Sequence, residues 1–145
     1  MAFRFPLATV LRVRESIEQR EERALQQIQL EMARVLRQIE ELSAEIAGAR
    51  DAQDEALRQP VPAGYLHGLL WEAQLAEVRR KALLSTLQVL EQQRDKQMKV
   101  YQTAHRNHET LISMKRDQRN VYEQQQVRMQ QKSLDDIFMA RRHRS

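Results

Sequence analysis

The chain has 145 residues, the size of one domain, but only 41% of them are hydrophobic and 30% are charged. Together with 5% aromatic residues and a mean hydropathy of −0.71, this argues against a thick globular core. The chain contains no cysteine, which excludes a disulfide framework and any cysteine-based metal or redox site and fits a reducing cytosol.

The N-terminus lacks the apolar stretch of a secretory signal, and no apolar run approaches the ~18 residues of a membrane span. The net charge of +4 is unevenly distributed, since residues 1–60 carry net −2 and residues 61–145 carry net +6. This asymmetry is compatible with a partner for the basic half, but on charge alone a solvated helix surface of mixed sign is the better interpretation.

The first half of the chain has the pattern of one long helix, predicted from about residue 5 to about residue 57. Pro6 suits a first helical turn, where its missing N–H is not needed. Further on, residues recur in steps of four and three, which is the heptad pattern of a seam that packs on one partner helix. The seam contains Ile28, Met32, Val35, Ile39, Leu42, Ile46, Ala49, Gln53 and Ala56, preceded more weakly by Val10, Arg14, Ile17, Glu21 and Ala24. Two successive steps of four, Ala24 to Ile28 to Met32, predict a stutter that locally unwinds the supercoil.

The stretch Arg58–Gly68 is the one place where the chain must bend. Pro60 and Pro62 oppose helix formation, and Gly64 and Gly68 give the backbone freedom to turn. We therefore predict a bend over residues 58–66.

A second helix is predicted from about residue 67 to about residue 141, with a seam of the same spacing. This seam contains Leu69, Ala73, Ala76, Arg80, Leu83, Leu87, Leu90, Arg94, Gln97, Tyr101, Ala104, His108 and Leu111, and becomes mostly polar beyond. Folding about the bend places residue i opposite residue 124 − i, so the second helix extends past the first by about 20 residues, roughly 30 Å. The expected fold is all-α: a single domain, residues 1–145, forming a long two-helix antiparallel coiled-coil hairpin with a C-terminal helical overhang. A parallel dimer with continuous helices is the poorer alternative because of the two prolines.

No constellation of catalytic residues stands out. His105 and His108 are one turn apart with Glu109 beside them, but no third ligand is evident, so helix-surface histidines are a better interpretation than a metal site. No glycine-rich phosphate loop is present, and two helices form no concave substrate pocket. We therefore expect a protein that is not an enzyme and that uses no cofactor, metal or small-molecule substrate.

The basic half suggests two further surfaces. A row of cations could track nucleic-acid phosphates, but acidic residues interrupt it and no aromatics are interleaved, so nucleic acid is an unlikely partner. These cations are Lys115, Arg116, Arg119, Arg128, Lys132, Arg141, Arg142 and Arg144.

Near the end, Leu134, Ile137, Phe138 and Met139 form an apolar cluster on the overhang, which predicts a docking surface, the alternative being a frayed tail.

Two end motifs resemble the FliJ family of flagellar type III export proteins. The opening Phe5-Pro-Leu-Ala-Thr-Val-Leu-Arg-Val-Arg-Glu15 is similar to the family's opening, Leu-x-x-Val-Leu-x-x-Arg-Glu after a hydrophobic residue. The stretch Leu111–Arg142, with Tyr122, then Lys132-x-Leu-Asp-Asp136 and Ala140-x-Arg142, resembles its closing block.

The resemblance implies an antiparallel coiled-coil stalk that works in flagellar assembly and motility. Such a stalk binds the export ATPase hexamer, links it to the cytoplasmic domain of the export gate and escorts export chaperones. It would lie in the cytoplasm, peripheral to the membrane through the apparatus. The residues implied for the ATPase are Arg12, Arg14, Glu15, Lys132, Leu134, Asp135, Asp136 and Arg141, and those for the gate are Ile46, Ala49, Leu69, Ala73, Ala76 and Arg80.

Two alternatives to a flagellar stalk remain open. One is a general coiled-coil adaptor, including one of a virulence-type secretion system, and the other is a basic coiled coil that binds nucleic acid. Trp71 either caps the seam from within or contacts the gate.

Overall fold

The computed structural model describes residues 2–144, and these form two α-helices packed against each other without a strand. Helix α1 spans Ala8–Ala56 and helix α2 spans Ala63–Arg144. The predicted antiparallel two-helix fold is confirmed. Its core is thin, because even the most deeply buried described side chains keep a few per cent of their surface exposed.

Helix α1 begins later than expected, at Ala8, because a turn comes first. The Ala8 amide donates to the Phe5 carbonyl at 3.1 Å, and Pro6 occupies the turn between them. The first helical bond then runs from the Leu11 amide to the Leu7 carbonyl at 2.9 Å. Phe5 is buried ahead of the helix.

The bend is shorter than expected, and α2 begins at Ala63 rather than near residue 67. The Pro62 carbonyl accepts the amides of Tyr65 at 3.1 Å and Leu66 at 3.4 Å, so Pro62 precedes the first helical residue. Gly64 and Gly68 are therefore helical, and no glycine in residues 2–144 has a positive φ. The chain therefore turns at the prolines, and the two glycines lie inside α2, where each weakens the helix by only about 1 kcal/mol.

The chain divides into two compact units. One unit is Glu21–Val100, the hairpin that contains the bend. Its buried side chains are Leu25, Met32, Ile46, Ala56, Ala76 and Leu90. The second unit combines the chain up to Arg20 with the chain from Tyr101 onward, and Phe5, Ala104 and Leu111 are buried there.

The predicted seams face inward. Every predicted seam residue from Ile28 to Ala56 in α1, and from Leu69 to Leu111 in α2, is buried or half-buried. Side-chain contacts within each unit match the antiparallel register: Arg50 pairs with Glu77, and the Phe3 ring lies 5.6 Å from that of Tyr122. The second helix therefore packs on the first roughly as the 124 − i rule predicts.

The predicted stutter in α1 is absent from the packing. Leu25 is buried and Ala24 is half-buried, whereas Val10 is exposed. Regular steps of four and three then join Leu7, Leu11, Arg14, Glu18, Glu21, Leu25, Ile28 and Met32, all at least half-buried. A continuous heptad needs no local unwinding.

The expected C-terminal overhang is present as a fully exposed end of α2. Every residue from 127 to 144 is exposed. Within residues 2–144, no helical segment combines the length and apolar character that a membrane span requires.

Candidate functional site

A polar layer joins the helices in the unit that contains both chain ends. The Glu18 carboxylate accepts a hydrogen bond from His105 Nδ1 at 3.1 Å and a second from His108 Nδ1. Glu18 and His108 are each only 16% exposed, whereas His105 is 47% exposed. Burial raises the pKa of the Glu18 carboxyl, but the hydrogen bonds and charges of both histidines outweigh burial and lower this pKa below its ordinary value.

The same layer explains the two histidines, which the sequence analysis interpreted as helix-surface residues in preference to metal ligands. Glu109, the residue considered beside them, is exposed, and the carboxylate that they meet comes from the other helix. In the described part of the chain no group of three His, Asp or Glu side chains could hold a metal ion. The histidines therefore serve helix pairing.

A second polar contact lies in the hairpin unit. Gln97 Nε2 donates to the Glu21 carboxylate at 2.6 Å and to the Glu21 backbone carbonyl at 3.1 Å. Both residues are half-buried seam positions. Such polar seam pairs restrict the register of a coiled coil because any slip leaves a buried polar group unpaired.

The six residues implied for gate binding all lie in the seam. Ile46 and Ala76 are each 3% exposed. Ala49, Leu69, Ala73 and Arg80 are half-buried. These side chains face the neighbouring helix, so they hold the hairpin together and offer little surface to another protein.

The same stretch of α2 presents apolar side chains on its exposed face. Trp71 is 66% exposed and Val78 is 61% exposed, and Leu70 and Leu75 are exposed beside them. Trp71 and Leu70 line a shallow depression of about 470 Å³, and Arg50 and Glu77 also line it. Trp71 therefore does not cap the seam, which was one of the two predictions for it. We call this surface the Trp71 face; the sequence analysis did not identify the other apolar residues on it, because the heptad pattern identifies only the packed side.

The residues implied for ATPase binding fall into two groups that the structure does not bring together. Lys132, Leu134, Asp135, Asp136 and Arg141 are all on the exposed end of α2. In α1, Arg12 and Glu15 are exposed and Arg14 is half-buried. Because Glu18 meets His108, the α1 group lies opposite the turns that follow His108, about 20 residues or roughly 30 Å before Lys132 along α2.

The N-terminal segment adds a feature that the sequence did not reveal. Phe3 packs on Tyr122, and a shallow groove of about 470 Å³ is lined by Phe3, Pro6, Val121 and Tyr122, among others. Phe3 thereby extends the packed region to Tyr122, beyond the start of α1.

The exposed end of α2 carries six large apolar side chains. These are Val127, Met129, Leu134, Ile137, Phe138 and Met139, each more than half exposed. Lys132, Arg141 and Arg142 are exposed in the same segment. We call residues 127–144 the overhang.

The cations of α2 are interrupted by acidic neighbours, as the sequence indicated. Arg116 Nε lies 3.9 Å from Asp117 Oδ1, and Arg119 Nε lies 3.4 Å from Glu123 Oε1, both pairs being exposed. These carboxylates compete with any phosphate for the cations. Within residues 2–144 these two pairs interrupt the row of cations between residues 116 and 123.

A model of the family described as Flagellar FliJ protein matches residues 3–145. No curated protein and no solved structure matches the chain. The resemblance carried by the two end motifs is thereby confirmed. Because the match covers essentially the whole chain, this protein belongs to the FliJ family, which makes it a component of the flagellar export apparatus.

Proposed function

We propose that this chain is a non-catalytic adaptor that joins the export ATPase ring to the cytoplasmic domain of the export gate and escorts export chaperones. In this proposal the overhang docks on the ATPase and the Trp71 face docks on the gate. The chain would work in the cytoplasm and reach the membrane only through the apparatus. The observation that carries the proposal is the overhang, whose apolar side chains have no neighbour in residues 2–144 to cover them.

The chemistry of the overhang suits a protein partner. Phe138 is 68% exposed and Leu134 is 66% exposed, and cations lie on either side of them. Exposed apolar clusters rimmed by charge are typical of interaction sites. Aromatic and arginine side chains are also those that most often dominate binding energy at interfaces.

A truncation after Gln126 tests the ATPase contact. This variant keeps Tyr122, and with it the Phe3 contact, but removes every residue of the overhang. We expect its binding to the purified export ATPase, measured by interferometry, to fall at least about 30-fold, the equivalent of one hot-spot residue of about 2 kcal/mol. Stimulation of ATP hydrolysis should be lost with binding.

The matched control is Val89→Asp, which adds charge at an exposed apolar position of α2 outside the overhang. We expect it to bind as the unchanged chain does, and helicity per residue should stay constant in both variants. Full ATPase binding by the truncated chain would contradict the overhang assignment.

The gate contact is proposed to use the Trp71 face instead of the seam. Trp71→Ala should weaken binding to the purified cytoplasmic domain of the gate by roughly 30-fold if this side chain is a hot spot. ATPase binding should not change, because Trp71 belongs to the hairpin unit and the overhang to the other unit. Equal gate binding by Trp71→Ala and Val89→Asp would contradict this assignment.

The same binding experiments separate the alternatives. Family membership favours the flagellar apparatus over a virulence-type secretion system, and preferential binding to the ATPase of the latter would reverse that choice. Salt-sensitive binding to any DNA duplex, without ATPase capture, would favour the nucleic-acid alternative. Chaperone escort is tested by adding an export chaperone to the immobilised chain with and without export substrate.

A further inference from the structure

The overhang carries a second apolar stripe that does not continue the seam. Continuing the seam in steps of three and four leads through Gln125, Met129, Lys132 and Asp136. Three of the six large apolar side chains follow the same spacing on a different face of the helix. That stripe is Val127, Gln131, Leu134, Phe138 and Arg141, in steps of four, three, four and three.

The positions beside the stripe carry opposite charges. Arg128 directly follows Val127, and Asp135 directly follows Leu134, so both lie on the same flank, seven positions apart. Both side chains are exposed, and neither forms an ion pair within residues 2–144. In a coiled coil, charges on such flanks choose the partner and its orientation.

We infer that two copies of this chain pair through their overhangs, antiparallel, with a two-fold axis near residues 132 and 133. In this arrangement Val127 of one copy packs on Phe138 of the second. Leu134 of each copy packs on Gln131 of the other, and Arg128 of each faces Asp135 of the other. Each contact occurs twice, as the symmetry of a two-fold interface requires.

Charge decides against the parallel arrangement. Parallel pairing would place Arg141 of one copy directly on Arg141 of the second. On the flanks it would set Asp135 against Gln130, which carries no charge. Antiparallel pairing removes this repulsion, because Arg141 then meets Gln124, and it adds two contacts between Arg128 and Asp135. The pairing is weak, since the stripe contains a glutamine layer and spans little more than four helical turns.

Pairing covers Leu134 and Phe138, the apolar side chains that the proposed ATPase contact uses. A paired overhang is therefore unavailable to another protein, and the two associations exclude each other. The inference itself does not rest on the proposed function, because it is tested with the purified chain alone.

Disulfide capture tests both pairing and orientation, and the absence of native cysteine makes it specific. Chains with Val127→Cys are mixed under mild oxidation with chains of different tag length that carry Phe138→Cys. Antiparallel pairing predicts mainly mixed disulfide dimers, several-fold more than from the control mixture of Val89→Cys and Val100→Cys. Mainly like-with-like dimers would indicate a parallel pair, and yields equal to the control would show no pairing; either result overturns the inference.

Charge reversal provides an independent test on chains without introduced cysteine. Arg128→Asp places two like-charged contacts in the pair and should weaken association, measured by sedimentation equilibrium, about three- to tenfold. Adding Asp135→Arg to the same chain should restore association. If Arg128→Asp weakens association and Asp135→Arg does not restore it, the inference is overturned. It is also overturned if the unchanged chain stays monomeric and its overhang binds phosphatidylglycerol vesicles in a flotation assay. Helicity per residue should remain constant in all variants, because every substituted side chain is exposed.

Discussion

Replacing Glu18 by alanine tests whether the polar layer stabilises helix pairing. The substitution removes the acceptor of both histidine hydrogen bonds and leaves His108, which is 16% exposed, without its partner. A hydrogen bond to a charged group contributes about 1.5–3 kcal/mol, but His105 is 47% exposed, so its bond is discounted for solvent screening. We expect a total loss of about 2 kcal/mol, a fall in Tm of about 4–8 °C for a chain of this size.

The effect should depend on pH in a defined direction. The pKa of Glu18 in the folded chain is below its ordinary value of 4.5, so the stabilisation is complete above that value and is lost as the pH falls through the folded pKa. Thermal unfolding followed by circular dichroism should therefore show a large difference between the unchanged chain and Glu18→Ala at pH 6. The difference should shrink at pH 3.

The matched control is Glu22→Ala, one turn further along α1, where the side chain is exposed. Both substitutions replace glutamate by alanine in a helix, so intrinsic helix propensity cancels between them. The reasoning is refuted if Glu18→Ala costs no more than Glu22→Ala, or if its cost is the same at pH 6 and pH 3.

Two further predictions concern the hairpin unit. Gly64→Ala and Gly68→Ala should each raise the free energy of unfolding by about 0.5–1 kcal/mol, measured by urea unfolding. Both glycines are helical, neither has a positive φ, and an added Cβ would meet no atom within 4 Å. A lower free energy of unfolding would mean that the turn needs the glycines. Ile46→Ala should lower the unfolding free energy by about 2–4 kcal/mol, since Ile46 is 3% exposed. The control Leu30→Ala, at a 64% exposed position, should change it by less than about 0.5 kcal/mol. Similar values for the two variants would contradict the assignment of the seam.

The heptad period predicted which face of each helix is packed, and it did so for both seams. Its error at the start of α1 came from choosing Ala24 over Leu25, when both are apolar and adjacent. Only packing shows which of two neighbouring apolar side chains points inward. The larger, Leu25, is the buried one, and it restores the regular steps.

The heptad period did not identify which polar side chains form hydrogen bonds between α1 and α2. Glu18 lies 87 residues before His105 and 90 residues before His108 in the chain, so spacing within α2 could not reveal that it accepts a hydrogen bond from each. The glycines were misleading for a related reason. A glycine permits a turn but does not require one, whereas a proline lacks the amide that a helix interior needs, and so Pro60 and Pro62 stop α1 from continuing.

The proposed gate contact differs from the sequence expectation for a similar reason. Motif resemblance assigned the gate contact to Ile46, Ala76 and their neighbours by position in the chain. The structure places those side chains between the helices and exposes Trp71 instead. Position along a helix comes from sequence, but accessibility depends on the side from which the second helix packs.

The amino-acid sequence by itself determined that this protein is two long helices joined at a proline bend, with an end of α2 that has no partner helix. It could do so because helix propensity, heptad spacing and proline geometry are local properties of the chain. Only the tertiary structure decided which seam residues meet, where Phe3 extends the packed region, and which apolar side chains stay exposed. Those features depend on the register and rotation of one helix against the other, which arise from contacts between residues far apart in sequence.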